Sequence, residues 1–148
     1  MNAHLARFLA VVALATVAYA SSANANAPGG RYTTSGGTVY DTKTKLTWQQ
    51  AVPSTTYTWI GAKAYCASLS LGGTGWRLPT VKELQTIVDD SQTNPSIDTT
   101  AFPSTPPSYF WSSSPFAGSS SLAWNVYFSN GITNYNAVSD TYNVRCVR

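Results

Sequence analysis

Two cysteines, Cys66 and Cys146, constrain the fold of this chain more than any other feature of its 148 residues. Cys66 lies in a segment whose apolar residues repeat at helical spacing, and Cys146 lies in the last segment of strand-like alternation. A reactive or metal-binding pair is the alternative to a disulfide, but the chain has no Cys-x-x-Cys spacing and no dense basic cluster beside either thiol. We therefore predict a structural disulfide that ties a helix to the last strand and closes most of the domain into one loop.

The N-terminal segment has the organisation of a secretory signal peptide. Arg7 supplies a positive charge, and residues 8–20 form an apolar run that is too short to cross a bilayer as a helix. Small residues predict cleavage after residue 25 or 27, with residue 20 as the alternative. We predict a signal peptide over residues 1–25 (or two residues longer), a flexible leader over 26–36 and one folded domain over 37–148. The protein is expected in the periplasm, at the cell surface or in the medium, with no membrane insertion after signal removal, and a disulfide is stable in those compartments.

Loss of the signal peptide removes residues that matter for chemistry. Without Arg7 the nine Lys and Arg residues fall to eight, against six Asp and Glu, and His4 is the only histidine. A mature protein without imidazole cannot carry a Ser-His-Asp or Cys-His catalytic group or a His-ligated zinc ion. We predict a protein that is not an enzyme and has no cofactor, no metal and no nucleic-acid partner; its oligomeric state is left open. Arg145 and Arg148 form at most a small basic spot, too few charges for a polyanion groove.

Periodicity and capping signals predict two helices in the middle of the chain. Apolar residues at helical spacing indicate a first helix over residues 57–69, with Thr58 as its N-cap. A second helix is predicted over residues 80–89, because Thr80 and Glu83 have the spacing of a capping box. Glu83 is thereby assigned a structural role in place of a catalytic one.

Short strands precede the helices. Alternation predicts strands over residues 38–40 and 46–48, with Asp41 accepting backbone hydrogen bonds in the turn between them. Arg77 follows Trp76 and is expected to be an internal hydrogen-bonding or cation–π partner, not a ligand contact.

The last third of the chain is predicted to be rich in strands. Residues 91–108 are expected to form an ordered surface loop, and Asn130-Gly131 predicts a hairpin turn. Alternation near the C-terminus places Val144 and Cys146 on the inward face. All the elements together predict an α+β fold, with two helices packed on a small, twisted, mostly antiparallel sheet with long loops. The predicted strands cover residues 109–114, 123–128, 132–136 and 142–147.

A series of ordered motifs carries a family resemblance: Thr38-Val39-Tyr40-Asp41, Leu46-Thr47-Trp48-Gln49, Ala64-Tyr65-Cys66, Gly75-Trp76-Arg77-Leu78-Pro79-Thr80, Phe110-Trp111-Ser112-Ser113, Phe128-Ser129-Asn130-Gly131 and Val144-Arg145-Cys146-Val147-Arg148. With these motifs, roughly residues 37–148 resemble the Lcl-type C-terminal domain family, named after the C-terminal domain of a bacterial collagen-like adhesin. The resemblance implies a single domain with a variant of the C-type lectin fold. In that fold a helix cysteine pairs with one in the last strand, as Cys66 and Cys146 would. It also implies kinship in fold with formylglycine-generating oxidases.

Two activities hosted by that fold are not expected in this chain. Lectin-type calcium sites use a Glu-Pro-Asn or Gln-Pro-Asp loop and a Trp-Asn-Asp strand, whereas here Trp124-Asn125 precedes Val126 and no such loop occurs. The oxidases need additional catalytic cysteines, and both cysteines of this chain are assigned to the disulfide.

Polar and aromatic residues after Trp124 form the predicted ligand-binding surface. Asn and Ser side chains supply adaptable hydrogen bonds, and Tyr rings supply rigid amphipathic area, as in antibody paratopes. The plainer interpretation is that the same residues are solvent-facing positions of half-buried strands. The candidate residues are Asn125, Tyr127, Ser129, Asn134, Tyr135, Asn136, Asp140, Tyr142 and Asn143.

The prediction for function is an exported, non-catalytic, adhesin-like module that binds a glycan, a glycosaminoglycan or a protein outside the cell. One alternative is a structural subunit of a cell-envelope or pilus assembly. Another is a variable ligand-binding protein of a diversity-generating retroelement, since some relatives with this fold vary just before the C-terminus. An enzyme is the least favoured class.

Overall fold

A computed structural model describes residues 29–148, which form two helices and two three-stranded antiparallel sheets. The predicted signal peptide lies outside the described residues. The architecture is of the predicted α+β class, but two small sheets take the place of one. The elements are β1 (Tyr32–Ser35), β2 (Thr38–Asp41), β3 (Thr47–Gln49), α1 (Trp59–Ser68), α2 (Val81–Gln85), β4 (Tyr109–Pro115), β5 (Leu122–Tyr127) and β6 (Ile132–Ala137).

The first sheet, with strand order β1-β2-β3, contradicts part of the predicted flexible leader over residues 26–36. β1 pairs with β2 in antiparallel register. Just before β1, the Arg31 guanidinium donates to both carboxylate oxygens of Asp41, at 3.2 and 2.8 Å. Asp41 also accepts a bond from the backbone amide of Lys43 at 2.9 Å, which confirms its predicted role in the turn. The leader prediction is wrong for Tyr32–Ser35, because backbone pairing and this ion pair hold the segment in place.

Both predicted helices are present, and both begin where their capping residues indicate. The Thr58 side chain caps α1, and Thr80 and Glu83 form the predicted capping box at the start of α2. Both helices are shorter than predicted, and α2 stops before the expected end at Asp89. After Gln85 the amides of Ile87 and Val88 bond to carbonyls three residues back, so the α-helical pattern is not continued. The Asp89 amide then bonds to the carbonyl of Ser96 in the following loop, at 3.1 Å.

The capping carboxylate of α2 is also an ion-pair partner. Nη1 and Nη2 of Arg77 donate to the two carboxylate oxygens of Glu83 at 2.7 and 2.6 Å. This hydrogen-bonded pair, helped by bonds from Thr80, lowers the pKa of Glu83 to about 2. Arg77 is therefore a hydrogen-bonding partner as predicted, but its side chain is 47% exposed and is not internal. The ring of Trp76 faces a different cation, the guanidinium of Arg148, at 5.0 Å.

Acid is expected to weaken the fold through Glu83. Because folding lowers its pKa, the carboxylate stabilises the protein fully above its ordinary pKa of 4.5, and this contribution is lost as the pH falls towards about 2. The pair with Arg77 is partly exposed, so solvent screening limits the effect to about 1 kcal/mol. Urea unfolding at about pH 5.5 and about pH 2.5 measures the difference. Glu83→Gln should show a smaller pH dependence than the unchanged protein; an identical pH dependence would contradict the assignment.

The second sheet has the strand order β4-β5-β6, and its hairpin turn is the predicted one. β5 and β6 pair up to Tyr127 opposite Ile132, and the turn between them ends in Asn130-Gly131. Gly131 has a φ of 77°, in the left-handed region that glycine adopts without strain. A Cβ at this position would also lie 2.5 Å from the side chain of Val88, so the turn packs closely against the end of α2.

The segment over residues 142–147 is not the continuous strand that its alternation predicts. It lies between the two sheets and makes isolated bridges in several directions, so both of its faces are covered. Val144, Arg145, Cys146 and Val147 are therefore all buried, and the predicted outward face does not exist. Cys146 is bonded to Cys66 with an S–S distance of 2.06 Å, which confirms the predicted disulfide. The bridges join Trp48 with Val147, Tyr57 with Tyr142, Arg77 with Val147 and Phe110 with Asn143.

The second sheet separates two hydrophobic clusters. Phe110 and Trp111 are consecutive in β4 and point to opposite faces. Each ring is fully buried and belongs to a different cluster, so both faces of the sheet are partly covered and only its margins are open. The first cluster includes Trp48, Leu84, Ile97, Phe102, Phe110, Val126 and Phe128; the second includes Ala62, Cys66, Trp76, Leu78, Trp111, Val144 and Cys146.

Candidate ligand-binding surface

A ladder of tyrosine rings lies on one face of the second sheet. Tyr109 and Tyr127 are opposite each other on β4 and β5, and their rings stack with centroids 4.4 Å apart. Tyr142, in the final segment, continues the ladder at 5.1 Å from Tyr109. Register and alternation place Asn134 and Asn136 of β6 on the same face. These five residues are called the tyrosine face below, and four of them were predicted from the sequence.

Asn125, also predicted as a ligand contact, lies beneath the tyrosine face. Its side chain is fully buried opposite Trp111 of β4. Its Nδ2 donates to Oδ1 of Asn136 at 2.8 Å. Asn125 cannot reach a ligand on the surface; its amide instead orients Asn136.

The segment after β6 supports one end of the ladder. Nδ2 of Asn143 donates to the backbone carbonyl of Tyr109 at 3.2 Å, so this predicted contact is engaged within the protein. The Tyr142 hydroxyl lies 3.4 Å from Oδ2 of Asp140, and its ring packs on Trp111 at 4.8 Å. Burial, and then the nearby Asp140 carboxylate, raise the pKa of Tyr142. The phenol therefore keeps its proton at neutral pH and can donate a hydrogen bond.

Ser129 lies in the hairpin turn, away from the ladder. Its hydroxyl donates to Oδ1 of Asn94 at 2.5 Å and joins the hairpin to the preceding loop. The backbone continues this junction, since the amide of Ser96 bonds to the carbonyl of Phe128 at 2.7 Å. The structure thus gives Ser129 a loop-anchoring role and does not bring it to the tyrosine face.

Tyr135 faces the opposite side of the sheet, where it joins a second aromatic group. Trp124 is its partner in register on β5, and Phe116 folds back from the turn that follows β4. The rings of Phe116 and Tyr135 stack at 4.1 Å, and Trp124 stands edge-on to each at 5.5 Å. These three residues are called the aromatic platform below.

Sequence reasoning missed Phe116, Trp124 and Tyr109 as parts of a surface. The hairpin register contains the signal for one of them: once the turn is placed before Ile132, Trp124 must lie beside Tyr135. Phe116 follows the end of its strand, and no periodic signal indicates where its ring lies.

Neither surface carries charge from its own strands. Between Asp98 and Asp140 the sequence contains no Asp, Glu, Lys, Arg or His. The small basic spot considered from the sequence does not exist either, because Arg145 is fully buried and the Arg148 guanidinium lies over the Trp76 ring. The second sheet therefore presents rings, amides and hydroxyls, and the Asp140 carboxylate lies beside Tyr142 at one end of the ladder.

The model of one protein family, described as the Lcl C-terminal domain, matches residues 37–148. The chain belongs to the Lcl C-terminal domain family. The matched residues include the disulfide, the tyrosine face and the aromatic platform, whereas β1 precedes them. No curated protein sequence matches this member of the family.

The described part of this Lcl C-terminal domain protein offers few other sites. A cavity of about 260 Å³ lies beside β1, but the guanidinium of Arg31 in its lining is already bonded to Asp41 and to the carbonyl of Thr86. Over residues 29–148, no three His, Cys, Asp or Glu side chains group closely enough to hold a metal ion. In the same range no helix has the length and apolar character needed to cross a membrane. The open margins of the second sheet are thus the best candidate surface.

Proposed function

We propose that this Lcl C-terminal domain protein is an exported, non-catalytic, adhesin-like module that binds an extracellular glycan or protein. The observation that carries the proposal is the tyrosine face, where stacked rings lie beside the exposed amide of Asn134. Rigid aromatic rings bordered by amides are typical of recognition surfaces that bind without catalysis. The N-terminal segment and the disulfide support export, since disulfides persist in oxidising compartments.

The tyrosine face suits binding because its rings are held before a ligand arrives. Tyr109 is stacked on Tyr127 and packs against Tyr142, so little side-chain freedom remains to be lost. Ordering a rotamer-rich side chain on binding costs about 0.5–1.5 kcal/mol, and a preformed surface avoids that cost. Asn134 stands at the edge of this rigid group and supplies an exposed hydrogen-bonding side chain.

A structural subunit of an envelope assembly is the second candidate. Ile132 is 60% exposed and begins β6, the edge strand of the second sheet. An exposed apolar residue on an unpaired strand edge favours contact with another polypeptide chain. In that case the edge of β6, and not the tyrosine face, would be the functional surface.

Binding to arrayed ligands tests the proposal. Purified protein with its disulfide intact is applied to neutral and sulfated glycans and to extracellular-matrix proteins. We expect saturable binding that Asn134→Ala weakens by about threefold or more, the worth of one hydrogen bond. Thr33→Ala, an exposed position on the first sheet, is the matched control and should leave binding unchanged. Absence of binding to every arrayed ligand, together with recovery of the protein in a stoichiometric envelope complex, would favour the structural subunit.

A further inference from the structure

The aromatic platform is a third aromatic group, separate from both core clusters. Phe116, Trp124 and Tyr135 belong to neither cluster, although both faces of β4 contribute residues to the two clusters. Tyr135 is 43% exposed, and the other two rings are half-buried. Tyr135 is therefore the most exposed of the three rings, and Phe116 and Trp124 pack against it.

The platform combines flat apolar area with hydroxyl groups at its margin. Phe116 and Tyr135 stack face to face with centroids 4.1 Å apart, so Phe116 covers one face of the Tyr135 ring and the other face supplies the flat area. The turn after Phe116 is tightened by a bond from the Ser119 amide to the Phe116 carbonyl at 3.2 Å. It carries the hydroxyls of Ser119 and Ser121, which lie 2.8 Å apart in an exposed position. A pyranose ring has matching chemistry, with C–H groups on its face and hydroxyls around its rim.

The absence of charged residues in the strands and turns of the aromatic platform indicates which class of sugar it binds. Sulfate and carboxylate groups are bound by Arg and Lys, which form charge-assisted hydrogen bonds to them. The strands and turns that build the platform contain no ionisable Lys, Arg, His, Asp or Glu from residue 99 to residue 139. Over residues 29–148, the cation–ring contacts involve other rings and never Phe116, Trp124 or Tyr135. These strands and turns therefore supply no cationic partner of their own to an anionic sugar.

We propose that the aromatic platform is a binding subsite for an uncharged sugar ring, which stacks on the face of the Tyr135 ring that Phe116 does not cover. The inference rests on the proposed recognition function and narrows its ligand from glycans in general to neutral ones. It also places the contact on the face of the sheet opposite the tyrosine face. A polysaccharide chain that passes over the edge strand β6 would reach both faces.

The test compares one ring deletion with a control on the first sheet. Probes are neutral oligosaccharides of glucose, mannose, galactose and N-acetylglucosamine, with heparin as the sulfated probe, and affinity is measured by calorimetry. We expect at least one neutral probe to bind and Tyr135→Ala to weaken it about tenfold or more. Tyr135→Phe, which keeps the ring, should stay within about threefold of the unchanged protein. Thr33→Ala changes an exposed position on the first sheet and should have no effect.

A second variant keeps the proposal testable if Tyr135→Ala lowers stability. Trp124→Phe preserves a ring at the platform but removes its indole. A neutral sugar on the platform should change the tryptophan fluorescence of the unchanged protein, and Trp124→Phe should abolish most of that change while retaining binding. Thermal unfolding of each variant shows whether the fold is intact.

Other outcomes overturn the inference in distinguishable ways. Binding of heparin, but of no neutral oligosaccharide, would contradict the proposal that the subsite binds an uncharged sugar. Neutral-sugar binding that Asn134→Ala weakens and Tyr135→Ala does not would move the site to the tyrosine face and leave the proposed function standing. Binding of a matrix protein but no sugar would overturn the subsite alone. Failure of every sugar and protein probe would overturn both proposals.

Discussion

Replacing Cys66 and Cys146 together by alanine is expected to lower the free energy of unfolding by about 4 kcal/mol. The bond closes a loop with a sequence separation of 80, so its removal greatly enlarges the set of unfolded conformations. In the folded protein both residues are fully buried in the second cluster, and alanine leaves no unpaired polar group there. Since small domains are stable by only about 5–15 kcal/mol, this change removes a large part of the total. Urea unfolding of the double variant and the unchanged protein measures the difference.

Reduction of the unchanged protein provides the control. Dithiothreitol should lower its stability by a similar amount and leave the double variant unaffected, because the variant has no bond to reduce. A loss below about 1 kcal/mol in the double variant would show that the chain is held by its core and that the crosslink is dispensable. Loss of ligand binding at temperatures where the double variant is still folded would also contradict the purely structural role assigned to the bond.

The parts of the fold that were predicted correctly depend on signals within a few residues. Thr80 and Glu83 cap α2 through contacts three residues apart, and Thr58 caps α1 in the same way. The turn before Ile132 needs only its Asn-Gly pair. These local hydrogen bonds form in any surrounding that leaves the backbone free to adopt a helix or a turn, so the sequence alone reveals them.

The parts that were predicted wrongly depend on distant partners. β1 is held by its pairing with β2, and the preceding Arg31 also donates to the carbonyl of Thr86, which lies 55 positions away. Residues 142–147 fail to form a strand because their neighbours come from both sheets. Hydrophobic periodicity predicts neither arrangement, because the sequence of a segment does not indicate which distant residues pack on it.

The candidate surface was also predicted only in part, because its residues depend on the pairing of distant strands. A run of Tyr and Asn after Trp124 predicted one continuous site, but a strand alternates its side chains between two faces. Tyr127 and Tyr135 therefore lie on opposite faces of the sheet. The Asn125 side chain is fully buried opposite Trp111. Composition indicated the right sheet, whereas the register of β5 against β6 was needed to divide its residues into two surfaces.

Arg145 is the buried residue whose replacement should have the second-largest effect. Its side chain is fully buried and has no carboxylate partner among residues 29–148. Nη1 donates to the carbonyls of Gln49 and Gln50 at 2.8 and 2.5 Å, and Nη2 donates to Oγ1 of Thr105 at 2.7 Å. The guanidinium also lies 4.7 Å from the ring centroid of Phe102. Burial lowers the pKa of Arg145 to about 9, so the group is still charged at neutral pH.

Arg145→Met is expected to lower the free energy of unfolding by about 3 kcal/mol, because the buried carbonyl of Gln49, the half-buried carbonyl of Gln50 and the Thr105 hydroxyl lose a donor. Arg145→Lys keeps the charge but cannot donate in three fixed directions, so it should recover only part of that loss. Arg148→Met is the matched control: its half-buried guanidinium lies over the Trp76 ring and should contribute about 1 kcal/mol or less. Urea unfolding of the three variants gives the comparison.

Unchanged stability of Arg145→Met would contradict this expectation. Buried charged groups often stabilise no better than an apolar side chain of the same volume, because removing a charge from water is costly. If Arg145→Met is as stable as the unchanged protein, the guanidinium does not hold the fold together. If stability falls as expected, Arg145 joins the final segment to the chain that follows β3 and to the loop at Thr105. The C-terminal segment then has two side-chain attachments besides its backbone bridges, the disulfide and this donor, and both help to hold the ladder that begins at Tyr142 in position.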